Sequence, residues 1–236
     1  MAAAYPIRPV RRDEFAAFRH ADEHAFNGPG PDPGRMELSA RLFEPERSLA
    51  ALDPAAPGYA AGAPARDGDI VGTAGAFTFQ MTVPGGVLPV AGVTAVSVLP
   101  THRRRGIARS LMTRQLAEIA QAGTEPLAAL WAAEASLYGR YGYGQAASTA
   151  TFRFARGEGV ITTPADPSLR LRLAAPKQAL AEMTAVFDAV RPGQPGLFAR
   201  GDLWWERRTA DFEAERGGSG PVRCLIAQDA GGPRGY

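Results

Sequence analysis

The ten residues PTHRRRGIAR, Pro100 to Arg109, stand where a strand-like run, VTAVSV, gives way to a helix-like one. A helix N-terminus already carries about half a positive charge, so each cation placed there costs roughly 0.3–1 kcal/mol. An anionic ligand would reverse that sign. Gly106, Ile107 and Ala108 open the helix with unpaired backbone N–H groups, and the small side chains of Gly106 and Ala108 let a phosphate approach them. Arg103, Arg104, Arg105 and Arg109 add charge and bidentate hydrogen bonds. The residues therefore favour a diphosphate-bearing ligand over a solvated basic turn. They do not supply the G-x-G-x-x-G of a dinucleotide fold or the G-K-[ST] of a P-loop. Nor do they supply the aromatic platform of a nucleic-acid surface.

A second stretch with chemical potential is LYGRYGYG, which holds Tyr138, Tyr141 and Tyr143. A tyrosine, with a pKa near ~10, keeps its proton at neutral pH and can act as a general acid. The residues alone leave open which of the three does so and which pack. His20 and His24 have the i,i+4 spacing of two metal ligands on a helix, but no third ligand accompanies them. They read as a solvated face, and no metal site is expected. Trp204 and Trp205 serve either an acceptor pocket or the core.

These groups need a scaffold. The chain has 236 residues, 45% apolar and 21% charged, which is the range of folded globular proteins. A formal charge of +2 is too small to mark a nucleic-acid binder. The single cysteine, Cys224, excludes an intramolecular disulfide and a multi-cysteine zinc site. No apolar run approaches the ~18 residues of a membrane span, and no signal peptide is evident, so a cytoplasmic location is expected. Hydrophobic periodicity predicts strands at 5–10, 48–53, 70–84, 87–100, 126–132 and 148–155. It predicts helices from Asp13, at 35–43 and over 104–122, then a short helix and turn at 134–144. This is a mixed α/β (α+β) sheet flanked by helices. Beyond a connector at 157–169, LRLAAPKQALAEMTAVFDAVRPGQPG restates the opening strand, helix and Pro/Gly break. It predicts a second, related domain over 170–236. In that part VRCLIAQ reads as a strand and DAGGPRG as a turn, with the partner strand missing, so the chain is expected to be truncated.

Arg103-x-x-Gly106-x-Ala108 is similar to the Arg/Gln-x-x-Gly-x-Gly/Ala pyrophosphate motif of the GCN5-related N-acetyltransferase (GNAT) superfamily. VTAVSVLPTHRRRG and EASLYGRYGYG resemble its Eis (enhanced intracellular survival) branch, and ARGDLWWERR resembles the Trp-bearing helix of that branch's middle domain. The resemblance covers the whole chain. It implies a GNAT fold with an acetyl-CoA-binding domain over 1–156 and a partial GNAT-like domain over 170–236. It implies acetyl-CoA as co-substrate, with the backbone of Val96, Ser97 and Val98 holding the pantetheine arm and the Val98 N–H polarising the thioester carbonyl. Arg103, Arg104, Arg105, Gly106, Ile107, Ala108 and Arg109 would bind the pyrophosphate, and Ala133 and Glu134 would line the CoA arm. Ala133 stands where the branch more often has serine, which removes a side-chain contact. Tyr138 would be the general acid.

The branch assigns the base to a terminal carboxylate after a third domain, for which this chain has no counterpart. Acceptors would be primary amines of small molecules such as aminoglycosides, or of lysine. Such cations favour an acidic cleft, for which Asp22, Glu23, Asp32 and Glu37 are candidates. No nucleic acid or membrane partner is implied, and homo-oligomerisation stays open. A non-catalytic CoA-binding or regulatory module is the alternative function.

Overall fold

The computed structural model describes residues 5–28, 30, 32–57, 63–66, 68–155, 157–158, 163–164 and 166–236. The chain forms two compact units, Met1–Trp131 with Arg191–Ser219, and Ala132–Val190 with Gly220–Tyr236.

In the first unit the order is β1 (Ile7–Pro9), α1 (Phe15–Ala25), α2 (Pro33–Leu42), β2 (Leu49–Leu52), β3 (Ile70–Val83), β4 (Gly86–Val98), α3 (Ile107–Ala122) and β5 (Leu127–Leu130). The sheet runs β1-β2-β3-β4-β5. The first four strands are antiparallel neighbours, and β5 joins β4 in parallel. β2 shows why helices cover both faces. Its residues LAAL are all buried, and the alternation of a strand sends Ala50 and Leu52 to one core and Leu49 and Ala51 to the other. Phe15, Phe18 and Ala21 of α1 complete the first core, and Ile107 and Leu111 of α3 the second. Gly72 of β3 lets α3 come close: a Cβ there would lie 2.7 Å from the Ile107 side chain. That contact pins the start of α3 against the end of β4.

Two devices fix the ends of the helices. Asp32 caps α2 by accepting the Arg35 N–H at 2.8 Å. Glu14, ahead of α1, accepts from the Arg8 guanidinium at 2.8 and 2.6 Å and from the N–H groups of Arg11 and Ala65. Burial raises its carboxyl, but these donors outweigh it and hold the group at about 2.

After β5 the chain enters the second unit with β6 (Arg170–Ala174) and α4 (Leu180–Val190). It returns to the first for α5 (Asp202–Thr209) and closes in the second with β7 (Cys224–Asp229) and β8 (Gly232–Gly235). In the first unit Leu197 and Ala199 hydrogen-bond the outer part of β3, and Trp204 of α5 packs on Phe77 and Phe79 at 4.9 Å. Trp205 is buried beneath Arg200. In the second unit β6-β7-β8 form an antiparallel sheet, Arg172 pairs with Glu182, and the buried Cys224 thiol points at Met183.

Four expectations need correction. Residues 148–155 are not a strand. Phe152 and Phe154 alternate as strand residues do, but both are exposed and their backbone joins no ladder. The helix expected after Glu134 is two 3₁₀ turns, Ala135–Leu137 and Gly139–Tyr141, ended by Gly142 in the left-handed region. The helix expected from 104 begins at Ile107 because Arg104 and Gly106 both have positive φ. The segment read as a bare turn contains β8, which pairs with β7.

Candidate functional site

The site is built by the way β4 ends. Its middle, Val90–Val93, pairs with β3 on one side and with Leu127–Leu130 of β5 on the other. From Thr94 onward β5 no longer pairs with it, while the β3 ladder continues to Val98 opposite Gly72. A shift of register near Thr73 and Gly75, with Ala95 at φ 49°, sets the bulge where the two halves meet.

The Leu99 N–H donates to the Val71 carbonyl at 2.9 Å. In an antiparallel ladder alternate residues point to opposite edges, so the Val98 N–H and carbonyl face the open side, and Val96 shares that orientation. The side chains of Val96 and Val98 pack toward the α3 core. The Ser97 hydroxyl goes inward to Thr73 at 2.7 Å.

The turn carrying the arginines follows at once. A cleft of about 190 Å³ lies between Val98, His102, Arg103, Arg104 and the first residues of α3, Gly106 to Arg109. No side chain caps α3, and its first intrahelical bond outside the turn is Ser110 N–H to the Gly106 carbonyl at 3.0 Å. The N–H groups of Ile107, Ala108 and Arg109 therefore have no acceptor within the helix.

The arginines divide their work. Arg103 donates to the carbonyls of Val98 and Ala25, and Arg105 to the Tyr5 hydroxyl and the Thr101 carbonyl. These two hold the turn to β4, α1 and the N-terminal strand. Arg104 and Arg109 have no hydrogen-bond or ion-pair partner among the described residues. His102, with Nε2 3.2 Å from Asp53, was not singled out by the sequence as part of this cleft. Its only sequence signal is its place in the turn.

The structure thus brings Val96, Ser97, Val98, Arg103, Arg104, Arg105, Gly106, Ile107, Ala108 and Arg109 together in the first unit. Ala133, Glu134 and Tyr138 belong to the second. Burial pushes the Tyr138 hydroxyl up, and the neighbouring Tyr141 and Glu134 add to the rise. Tyr143 meets Tyr138 edge-on at 5.8 Å and is pushed to about 12 by burial, then by Tyr138. Both phenols therefore keep their protons at neutral pH.

Three of the four acids proposed for an open cationic cleft are already engaged. Asp22 pairs with Arg19 at 2.8 Å, Glu23 with Arg19 at 3.1 Å and Arg35 at 2.7 Å, and Asp32 caps α2. Glu37 stays exposed. Among the described residues no cluster of three or more His, Cys, Asp or Glu could hold a metal, and no helix is long and apolar enough to cross a membrane.

Known proteins resemble this chain in sequence and fold. Residues 6–146 match the acetyltransferase (GNAT) domain family. An uncharacterized N-acetyltransferase of Streptomyces coelicolor is 38% identical over 234 residues, 97% of this chain and 54% of the relative. The N-acetyltransferase Eis of Mycobacterium tuberculosis is 36% identical over 166 residues, 68% of this chain and 41% of the relative. The crystal structure of Eis1 from Mycobacterium abscessus superposes with a TM-score of 0.68 at 31% identity, covering 94% of this chain and 53% of that one. The chain spans about half the length of the curated relatives it matches across nearly all of its own length. The fold, the strand–turn–helix site and these relatives agree: the chain belongs to the GNAT acetyltransferase family, in its Eis branch.

Proposed function

We propose that this protein is an acetyl-CoA-dependent N-acetyltransferase that acetylates primary amines of a cationic acceptor, of the aminoglycoside or lysine kind. The observation that carries the reading is the open edge of β4 at Val96–Val98 running directly into the uncapped start of α3. Acetyl-CoA offers complementary chemistry at both places. Its pyrophosphate needs N–H donors and cations, which Ile107, Ala108, Arg109 and Arg104 supply. Its pantetheine amides need a strand edge, which β4 supplies through the outward backbone of Val96 and Val98, with Ser97 between them turned to β3. Arg103 and Arg105 position the turn, and Ala133 and Glu134 are assigned to the CoA arm.

In the reaction the amine attacks the thioester carbonyl. The Val98 N–H is fixed before reaction and polarises the carbonyl oxygen, the preorganisation an oxyanion site requires. Tyr138, protonated at neutral pH, gives its proton to the departing thiolate. Residues 1–156 are read as the catalytic domain and 170–236 as a partial GNAT-like companion.

The test is thiol release from acetyl-CoA with a polyamine or an aminoglycoside as acceptor, in the full chain. Saturable release with matching acetylated product supports the reading. Saturable CoA binding without release would favour a CoA-binding module instead.

A further inference from the structure

One residue that lines the cleft at the start of α3 has no part in the reaction as proposed. His102 stands on the turn between β4 and α3, with both ring nitrogens engaged. Nε2 lies 3.2 Å from Asp53 Oδ2, and Nδ1 lies 2.8 Å from Thr101 Oγ1. Asp53 follows β2 and is itself anchored, since its Oδ1 accepts the Ala55 N–H at 2.9 Å. Tyr5 meets the imidazole edge-on, with ring centroids 5.7 Å apart, and its hydroxyl accepts from Arg105. Asp53, Thr101 and Tyr5 thus fix the ring at the wall of the cleft.

These partners decide what the ring can carry. A carboxylate only accepts, so Nε2 holds a hydrogen and donates it to Asp53. A neutral ring then offers its Nδ1 lone pair to the Thr101 hydroxyl. A protonated ring donates from Nδ1 to the Thr101 oxygen instead, and only the hydroxyl hydrogen has to turn. Both states satisfy the ring, so its charge can change without moving the turn. Histidine is the side chain suited to such a change near neutral pH.

Two opposed fields act on that charge. Arg103, Arg104 and Arg109 line the same cleft and Arg105 sits on the same turn, and these cations disfavour another. Asp53 favours it. Asp69, whose carbonyl takes the Asp53 N–H, is paired with Arg66. A diphosphate seated in the cleft offsets the arginines, and the attraction of Asp53 then prevails.

We propose that His102 is a further binding residue of the diphosphate cleft: Asp53 holds it in its protonated form, and acetyl-CoA binds with uptake of a proton at this ring. The inference rests on reading the cleft as the acetyl-CoA site. With Nε2 and Nδ1 turned to Asp53 and Thr101, the ring acts on the ligand through its charge and not through a hydrogen bond. The sign follows. Anion binding favours the imidazolium, so the hold on acetyl-CoA is tightest at low pH and weakens as pH rises through the His102 ionisation.

The experiment measures Kd for acetyl-CoA and for 3′-dephospho-CoA across pH in the full chain, and follows the His102 imidazole by NMR with and without each ligand. The dephospho form keeps the diphosphate and lacks the phosphate monoester, which would itself titrate near neutral pH. The His102 midpoint is expected to rise on binding. Kd is expected to rise about fivefold from below the free midpoint to above the bound one, the scale of one partly exposed ion pair. His102→Gln should show the weaker Kd at every pH, and His102→Arg, charged throughout, the tighter one. Asp53→Asn should lower the His102 midpoint and carry the change in Kd with it. If His102→Arg does not fold, His102→Gln and the wild-type titration decide. A His102 midpoint unmoved by binding, or a Gln variant that keeps the wild-type pH dependence of Kd, overturns the proposal and leaves the functional reading in place. A wild type that binds acetyl-CoA at no pH sinks the functional reading, and the proposal falls with it.

Discussion

The two halves of β4 have the same kind of sequence and opposite duties. In the middle, Val90 and Ala91 are fully buried and pair on both sides, with Phe79 and Thr78 of β3 and with Leu127 and Ala128 of β5. At the end, Val96 to Val98 keep β3 on one side, and among the described residues no strand pairs with their other edge. An open edge is ordinarily a liability, because unpaired N–H and C=O groups recruit other strands. Here the edge is short, follows a bulge and runs into a turn held by Arg103 and Arg105. On the proposed function, this edge is where the amides of acetyl-CoA would pair.

Proline separates the halves most sharply. Ala91→Pro removes a ladder bond where both edges are filled and should cost about 3 kcal/mol or more, read as a large fall in unfolding midpoint. Val98→Pro removes an N–H that the ladder does not use. It should leave the unfolding midpoint within a few degrees while acetyl transfer falls by about 10²–10³. Equal loss of stability in both variants would erase the distinction. Tyr138→Phe, outside β4 altogether, should lower kcat by about 10²-fold with little change in KM for acetyl-CoA. Unchanged turnover would remove Tyr138 from the mechanism and leave the edge intact. Gly106→Ala places a side chain at φ 83° and should cost roughly 1–2 kcal/mol. By disturbing the first N–H groups of α3 it should also raise KM for acetyl-CoA about tenfold, seen in initial-rate kinetics.

Acid gives the smallest separation. Glu14 is held at about 2, against an ordinary carboxylate near 4.5. Its contribution of about 3 kcal/mol is present above 4.5 and lost as pH falls toward 2. Asp22 has a raised carboxyl, so its penalty is present above its folded value and is relieved as pH falls through it. Glu14→Gln should therefore flatten the acid limb of the stability curve, while Asp22→Asn should gain stability at neutral pH. Chemical denaturation at several pH values checks both.

What the sequence made legible was local. The strand–turn–helix order around Arg103 and Gly106 follows from periodicity and from two residues that stop and start elements. The apolar stripe of α3, with Ile107 and Leu111 against the sheet, could be read for the same reason. What stayed hidden was decided by distant partners. The open half of β4 exists because β5 pairs with only four of its residues, a tertiary fact with no signature in VTAVSV. Asp22 and Glu23 read as candidates for an acidic cleft, and only the fold shows them already paired with Arg19 and Arg35. Phe152 and Phe154 have the pattern of a strand, but among the described residues no strand pairs with them.

The most direct test of the account is amide hydrogen exchange with and without acetyl-CoA, resolved along β4. The account predicts that the Val96 and Val98 N–H groups, with those of Ile107 to Arg109, become strongly protected on binding, while Val90 to Val93 barely change. Protection spread evenly along the strand, or none at Val98 under saturating acetyl-CoA, would contradict it.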